Sequence, residues 1–332
     1  MNTAPTLPGL LQRFFTERLL TQRQVSAHTM ASYRDTFRLL LCFAQRERHK
    51  RPAALNLADL DADLISAFLT SLEERRHCCA RTRNARLTAI RSFFSYAAFQ
   101  EPALATHIQR VLAIPYKRQR RPLVNFLSHA EIEALLNVPD RGTWTGRRDH
   151  AFLVLAVQTG LRLSELTSLE RTAIAFGPGA HVRCHGKGRK ERCTPLTRST
   201  VAVLKAWLRE SAPCDSLILF PNRYGSRLSA DSVQHFIKKY VSAAAAQCPS
   251  LKDKRVSPHV LRHSAAMELL AADVDSSVIA MWLGHESVNT TQTYLHAHLA
   301  LKEAALARTT PHRVKPARFR PGDQLLQFLS AL

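Results

Sequence analysis

Long apolar runs are missing from this 332-residue sequence, and no segment approaches the roughly 20 apolar residues that a membrane-spanning helix needs. The N-terminal stretch has no basic region followed by a long apolar core, so no secretory signal peptide is evident. The seven cysteines are scattered and odd in number, and none of their spacings is that of a zinc ligand set. Reduced thiols are the simplest interpretation, so we expect a cytoplasmic protein with no membrane partner.

The patterns of nucleotide-dependent and metal-dependent enzymes are also missing. There is no G-x-x-x-x-G-K-[ST] loop, and the nearest segment, 186–190, follows a predicted strand but opens no predicted helix. No carboxylate cluster of the kind that holds paired Mg²⁺ in nucleases is visible. His181, Cys184, His185 and Cys193 crowd one segment, but strand alternation separates His181 from Cys184, which argues against a metal site. We therefore expect no metal and no cofactor.

Acidic residues are scarce as well. The chain has 26 Asp and Glu against 47 Lys and Arg, a formal net charge of +21, whereas solubility alone needs a magnitude of only about 2–8. Nucleic acid is the obvious partner, because cations that contact phosphates release condensed counterions. An anionic membrane surface is the weaker alternative, since no basic amphipathic helix with a broad aromatic face is found. Residues 1–121 carry +11 and residues 122–332 carry +10, which indicates a clamp with two basic arms.

Helical periodicity dominates the first third of the chain. Apolar residues at helical spacing predict four helices and a small helical DNA-binding bundle over residues 1–111. A basic linker containing KRQRR is expected over 112–127. The predicted helices cover residues 7–22, a segment that begins with a cap at Ser26, 61–74 and 82–99.

A second, mixed domain is predicted over residues 128–308. It opens with Ser128 and Glu131 as a capping box. A hairpin of strands 181–185 and 191–196 surrounds a basic tip, and residues 309–332 form a basic tail with a short C-terminal helix. The fold is therefore expected to be mainly α with a small antiparallel sheet. Further helices are predicted at 149–171, with an interruption at Thr159-Gly160, and near 198–210, 229–245, 259–271 and 275–283.

Six arginines and no acid lie between Glu74 and Glu101. A solvated helix face would explain the run, but phosphate contact is favoured because nothing nearby in sequence neutralises it. The candidate DNA contacts are Arg81, Arg83, Arg86 and Arg91 in this run, Lys117, Arg118, Arg120 and Arg121 in the linker, and Arg189 and Lys190 in the hairpin.

Four short motifs place phosphate-compatible side chains beside strongly patterned helices. They read TGLRLSEL, GKGRKER, HVLRH and LGHES, the last followed by TYLH. Each is weak alone, but their order and spacing are jointly specific, and here the sequence resembles the tyrosine recombinase (phage integrase) family, close to its Xer-like bacterial branch. The resemblance covers nearly the whole chain. The six matching positions are Arg162, Lys187, His259, Arg262, His285 and Tyr294.

The chemistry of a phosphodiester explains these residue types. Arg162 and Arg262 present forks of donors to the non-bridging oxygens, where charge develops. Tyr294 is the candidate nucleophile, and because a free tyrosine has a pKa of about 10 it needs a base, for which His259 is the candidate. The resemblance implies further roles. Lys187 would act as general acid, His285 would bind the scissile phosphate and Glu165 would orient the site.

Neighbouring residues compete for some of these roles. Arg189, Lys190 and Arg192 are rivals to Lys187, and His296 could be mistaken for the base. His263 is interpreted as structural. The resemblance places the acid directly after the first glycine of GKGRK, which favours Lys187.

The resemblance implies a site-specific recombinase that works without metal or ATP through a 3′-phosphotyrosyl intermediate. Its partners would be double-stranded DNA with inverted-repeat core sites and further copies in a tetramer, with a partner recombinase possible. The short apolar helix 323–331 would dock on a neighbouring copy. Integration, excision or transposition of a mobile element is the favoured role, with Xer-type dimer resolution as the alternative. A non-catalytic architectural protein and a type IB topoisomerase remain open.

Overall fold

The chain divides into two compact units, Met1–Arg121 and Pro122–Leu332. The computed structural model describes residues 6–119, 124–186, 191–210 and 216–284. Within these ranges the chain is mainly helical with a small three-stranded antiparallel sheet, which confirms the predicted fold class. No helix of the described ranges is long and apolar enough to cross a membrane.

The described part of the first unit consists of helices joined by short connections, with no strand. The Ser26 cap is confirmed, because its hydroxyl accepts a 3.2 Å hydrogen bond from the Thr29 amide. The predicted helix over 7–22 has the expected extent, but from Phe14 onward it has π-helical geometry. The helices are α1 (Leu7–Arg13) with its π continuation (Phe14–Gln22), α2 (Ala27–Arg48), α3 (Ala62–Arg76), α4 (Ala80–Gln100) and α5 (Ala105–Leu112), with 3₁₀ turns at Pro52–Ala54, Leu57–Asp59 and Pro102–Leu104.

Aromatic packing forms the core of the first unit. The rings of Phe14, Phe37 and Phe93 come from three different helical segments, and their centroids are 5.3–6.3 Å apart. All three side chains are buried, and burying a phenylalanine stabilises a fold by about 1.5–3 kcal/mol relative to leaving it exposed. The apolar stripes in the sequence therefore face one another.

The second unit contains the sheet and seven further helices within its described residues. The capping box is confirmed, since the Ser128 amide donates to Glu131 Oε2 at 2.8 Å and the Glu131 amide donates to Ser128 Oγ at 3.4 Å. The helices are α6 (His129–Leu136), α7 (Trp144–Thr159), α8 (Leu163–Ser168), α9 (Arg198–Leu208), α10 (Ala230–Ala244), α11 (Pro258–Ala271) and α12 (Ser276–Leu283), with 3₁₀ turns at Arg171–Ala173 and Pro249–Leu251.

The sheet has the strand order β1 (Ile174–Ala175), β2 (His181–His185) and β3 (Glu191–Pro195), all antiparallel. The predicted hairpin of β2 and β3 is confirmed. Cys184 lies opposite Arg192 across it, and Cys184 is buried. The short strand β1 was not predicted, because two residues are too few to show an alternation.

Helix α7 runs through the core of the second unit. Phe152 is fully buried and packs against Phe220 and Phe236 at centroid distances of 5.3 and 5.4 Å. Residues on nearly all sides of the helix are buried, which explains the long apolar stretch in the sequence. Gly160 is the C-cap of this helix. The TGLR motif therefore begins in the last turn of a helix that is packed in the core.

Both ends of the predicted linker 112–127 are packed on their own units. The Asn84 side chain donates to the Lys117 carbonyl at 2.8 Å and accepts from the Lys117 amide at 3.1 Å, which fixes this segment on α4. At the other end Leu127 is buried, and its amide donates to Ser264 Oγ at 2.8 Å. The assignment of residues 112–127 as the linker between two domains stays a prediction.

Candidate active site

Gly160 turns the chain sharply between α7 and α8. Its φ of +62° lies in the left-handed region, where a residue with a Cβ is strained. A Cβ here would also lie 2.6 Å from Leu283 Cδ2 and 3.2 Å from Ala265 Cβ. The glycine in TGLR is thus required by backbone conformation and by close packing, and the turn places Arg162 at the start of α8.

Glu165 accepts hydrogen bonds from both the backbone and the side chain of Arg162. Its Oε2 accepts from the Arg162 amide at 2.7 Å, and its Oε1 accepts from Arg162 Nη1 at 3.0 Å. The Glu165 side chain is only 4% exposed, whereas that of Arg162 is 28% exposed. The carboxylate therefore holds the guanidinium from the protein side, and part of Arg162 still faces solvent.

Arg192 on β3 binds the same carboxylate. Its Nη1 donates to Glu165 Oε1 at 3.0 Å and its Nη2 donates to Glu165 Oε2 at 2.7 Å, a bidentate pair. From the sequence we considered Arg192 only as a rival to Lys187, and we did not predict its contact with Glu165. The available signal was the two-residue period of the hairpin. Arg192 lies directly opposite the buried Cys184, so both side chains are on the inward face of the sheet.

The charge state of Glu165 follows from these contacts. Burial alone would raise the pKa of this carboxyl, but the hydrogen bonds from Arg192 and from the Arg162 amide outweigh it and hold the pKa below its ordinary value. Glu165 is therefore ionised at neutral pH and shared between two guanidiniums. Burial raises the pKa of the adjacent Cys184 thiol to about 11, which keeps that thiol protonated.

Arg262 on α11 reaches the same place from another direction. Its Nη1 donates to the Gly160 carbonyl at 2.7 Å and its Nη2 donates to the Leu283 carbonyl at 2.7 Å, and the residue is 5% exposed. Arg162 Nη2 donates to the next carbonyl, that of Gly284, at 2.8 Å. Both arginines thus converge on the C-terminal end of α12, where the helix dipole favours positive charge.

Gly284, the glycine of the LGH motif, is also required by its surroundings. It caps α12 with a φ of +64°, and a Cβ at this position would collide with the Arg192 guanidinium. The motif therefore ends a helix, supplies a carbonyl to Arg162 and leaves room for Arg192. His285 is the next residue in the chain.

Two histidines lie near Arg262 on α11. His259 is exposed one turn before Arg262, while His263 is half-buried. Burial, together with the neighbouring charges of His259 and Arg262, lowers the pKa of His263 to about 4, so that this ring is neutral at physiological pH. An exposed His259 fits the predicted base better than its buried neighbour, and the assignment stays a prediction.

Several predicted residues lie outside the described residues. Strand β2 ends at His185 and β3 begins at Glu191, so the segment that carries Lys187 lies between two described strands. The structure brings together Arg162, Glu165, Arg192, Arg262 and the backbone that precedes His285. The predicted residues outside its description are Lys187, His285 and Tyr294 of the catalytic set and Arg120, Arg121, Arg189 and Lys190 of the DNA contacts.

In the first unit the α4 arginines differ in accessibility. Arg81 is exposed, as are Lys117 and Arg118. Arg86 is half-buried and donates to Thr36 Oγ1 at 3.3 Å. The half-buried Arg91 lies over the ring of Tyr116, with its Cζ 5.1 Å from the ring centroid.

Arg83 corrects one premise of the sequence interpretation. It is buried, and its Nε lies 3.7 Å from Glu73, which also binds Lys117 at 2.7 Å. The arginine run is therefore not free of acidic neighbours. The neutralising carboxylate comes from α3, which the spacing along α4 does not reveal.

The chain is similar to known proteins in sequence and in fold. Residues 125–300 match the phage integrase family, and residues 12–101 match the phage integrase N-terminal SAM-like domain. The chain is 58% identical over 332 residues to the protein named "Putative integrase/recombinase y4rC" of Sinorhizobium fredii, covering all of both chains. It is 32% identical over 314 residues to tyrosine recombinase XerD of Pseudomonas putida, covering 92% of this chain and 99% of that one.

Solved structures show the same fold. The XerH site-specific recombinase bound to its palindromic difH substrate superposes with a TM-score of 0.67 at 24% identity, covering 85% of this chain and 80% of that one. The Tn1549 transposon integrase in complex with a circular intermediate DNA superposes with a TM-score of 0.66 at 16% identity, covering 90% and 99%. With two family models matched along its length and a relative 58% identical from end to end, the chain belongs to the phage integrase family of tyrosine recombinases.

Proposed function

We propose that this site-specific recombinase cleaves and rejoins double-stranded DNA at inverted-repeat core sites, with Tyr294 as its nucleophile. The observation that carries the proposal is the convergence of Arg162 and Arg262 on consecutive carbonyls at the end of α12. Two guanidiniums fixed by protein contacts form a preorganised site for a phosphate whose charge grows during attack. We also propose a bacterial cytoplasmic location, because the proposed reaction acts on DNA.

The proposed cleavage step exchanges one phosphoester bond for another. The Tyr294 oxygen attacks the scissile phosphorus, and His259 takes the phenolic proton. The bond from phosphorus to the 5′ oxygen breaks, and Lys187 gives that oxygen its proton, while His285 binds the phosphate. A 3′-phosphotyrosyl bond and a free 5′ hydroxyl result. Because the bond energy is kept, the 5′ hydroxyl of a partner strand can reverse the step without ATP.

The biological role that we propose is integration, excision or transposition of a mobile element. The similarity to y4rC, a relative named as an integrase or recombinase, supports this role, as does the arginine-rich composition. Resolution of chromosome or plasmid dimers is the second candidate, supported by the similarity to XerD. Inverted repeats that flank the gene and excision of the intervening segment would favour the first role, and resolution of plasmid dimers alone would favour the second.

Covalent trapping tests the proposed chemistry. A core site is first selected from random duplex DNA with the purified protein, and a nick is then placed beside the scissile bond so that the 5′ fragment diffuses away. The fragment that leaves is the short one with the free 5′ hydroxyl, so the strand joined to the protein through its 3′ phosphate cannot be religated. We expect a covalent protein–DNA adduct on this suicide substrate. Binding without an adduct would support an architectural protein instead. Relaxation of plasmid DNA without site preference would support a type IB topoisomerase.

Salt dependence is a second expected property, because both units carry excess positive charge. We expect affinity to fall about 10³-fold or more between 50 and 200 mM salt, as for proteins with 6–10 phosphate contacts. Arg81→Ala should weaken binding to all sequences and lower the slope of log affinity against log salt by about 1. Arg147→Ala is the control, since its ion pair with Glu210 already neutralises that charge. A slope unchanged by Arg81→Ala would exclude it as a phosphate contact.

We also propose a cyclic tetramer on DNA in which the C-terminal helix docks on a neighbouring copy. The apolar Leu325, Leu326, Phe328 and Leu329 lie close together in a segment too short to be stable alone. A chain that ends at residue 310 should bind a single core half-site normally but fail to form the four-subunit complex. Light scattering of the DNA complex measures this, and an intact tetramer from the truncated chain would contradict the proposal.

A further inference from the structure

Glu165 is a buried carboxylate close to the place where a negatively charged phosphate is expected to bind. Its side chain is 4% exposed and lies 3.0 Å from an Arg162 donor, so its charge acts through little solvent. A single carboxylate paired with Arg162 alone would cancel most of the positive charge that Arg162 offers to DNA. The site therefore needs a second cation that compensates Glu165.

Arg192 has the geometry and burial of that second cation. Its bidentate bonds to Glu165 are as short as those made by Arg162, and its side chain is 12% exposed against 28% for Arg162. Arg192 Nε is buried without a hydrogen-bond partner among the described atoms. Such an unsatisfied donor costs stability, which argues that the residue is placed here for the site and not for the fold.

The contacts of Arg192 also connect parts of the site that are distant in sequence. Arg192 lies on β3, five residues after Lys187. Its guanidinium occupies the space that a side chain at position 284 would fill if that residue were not glycine. The Gly284 carbonyl in turn accepts from Arg162. Arg162 and Arg192 come from two separate segments of the chain. Both bind the Glu165 carboxylate, and both contact the C-terminal end of α12.

We propose that Arg192 is a positioning residue that neutralises Glu165 and thereby leaves the charge of Arg162 available to the scissile phosphate. Arg192 does not itself need to touch DNA. Glu165 accepts hydrogen bonds from both arginines. It can therefore orient Arg162 without cancelling the positive charge that Arg162 presents to the phosphate. The inference rests on the proposed cleavage of DNA by this site.

A double-mutant cycle separates this role from a structural one. The variants are Arg192→Gln, Glu165→Gln and the double variant, each assayed for single-turnover cleavage of the suicide substrate at saturating DNA. Arg192→Gln should slow cleavage by at least about tenfold, with DNA affinity within about twofold of wild type, because an uncompensated Glu165 draws Arg162 away from phosphate. In the double variant that carboxylate is gone, so cleavage should return to within about threefold of Glu165→Gln alone.

The control is an arginine–glutamate pair of the same kind outside the site. Arg147 makes two hydrogen bonds to Glu210 in the first turn of α7, and it precedes Gly160 along this helix by a rise of roughly 20 Å. Arg147→Gln should leave the cleavage rate unchanged. Thermal melting of every variant reports whether the fold is kept. If Arg192→Gln does not fold, Arg192→Lys is assayed instead. Because lysine keeps the charge but not the fork, we expect it to cleave near the wild-type rate, and a tenfold loss in a folded Arg192→Lys protein would overturn the inference.

The outcomes distinguish the inference from the function on which it rests. Rescue by the second substitution supports the inference. Cleavage losses that add in the double variant, or an Arg192→Gln protein as fast as wild type, would overturn it while leaving the recombinase chemistry intact. A wild-type protein that binds its site and forms no adduct would instead reject the proposed cleavage.

Discussion

Replacing Tyr294 with phenylalanine is expected to abolish the covalent protein–DNA adduct while leaving DNA affinity within about twofold of wild type. The substitution removes one oxygen, and that oxygen is the atom that forms the bond to phosphorus. No positioned arginine can compensate for a missing nucleophile, so this is the largest effect that the proposal predicts. Gel separation of the adduct under denaturing conditions measures it directly.

The matched control for this substitution is Tyr224→Phe. Tyr224 is 66% exposed in the second unit, so the loss of its hydroxyl should change neither stability nor cleavage. Tyr240 is a poor control, because its hydroxyl donates to the buried Asp149 at 2.8 Å and its loss would weaken the fold. An adduct that persists in Tyr294→Phe would refute the assigned nucleophile, whatever the behaviour of the control.

Arg262→Ala is expected to slow cleavage by at least about 10²- to 10³-fold, the loss typical of a deleted transition-state donor. The expected loss has two sources in the structure. In the proposed mechanism the guanidinium supplies charge for the phosphate, and in the structure its bonds to the Gly160 and Leu283 carbonyls join the TGLR turn to the end of α12. Removing it therefore takes away a charge and leaves two carbonyls without these bonds.

Arg262→Lys separates these two sources. A lysine keeps the charge but cannot span both carbonyls with a planar fork, so we expect it to recover only a small part of the lost rate. Arg198→Ala, at an exposed position in the first turn of α9, is the control for the loss of a cation. Single-turnover cleavage measures the effect. If Arg262→Ala cleaved within tenfold of wild type, its assignment to the phosphate site would be wrong.

The fold class and most element positions could be predicted from the sequence, because they depend on local patterns. Apolar residues that recur with a period of about 3.6 predicted the long helices. The N-caps at Ser26 and Ser128 predicted where two of the helices begin. The hairpin followed from two short strands around a glycine-containing tip. Strand β1 escaped prediction, since Ile174–Ala175 is too short to carry a period.

Two side-chain pairings that the sequence did not reveal depend on contacts between distant segments. The register of β2 and β3 and the hydrogen bonds to Glu165 determine where the Arg192 side chain lies. Glu165 is 27 positions earlier in the sequence. Arg83 looked like its neighbours on α4, but a carboxylate from α3 lies beside it. The alternation of the hairpin could have placed Arg192 on the inward face, but the carboxylate partner of each arginine could be found only from the tertiary structure.

Mapping the site of DNA attachment tests the central proposal most directly. The adduct formed by the wild-type protein on the nicked suicide substrate is digested with trypsin and nuclease, and the modified peptide is sequenced by mass spectrometry. We expect a nucleotide attached through its 3′ phosphate to Tyr294. Attachment to any other residue, or no adduct on a core site that the protein binds, would contradict it.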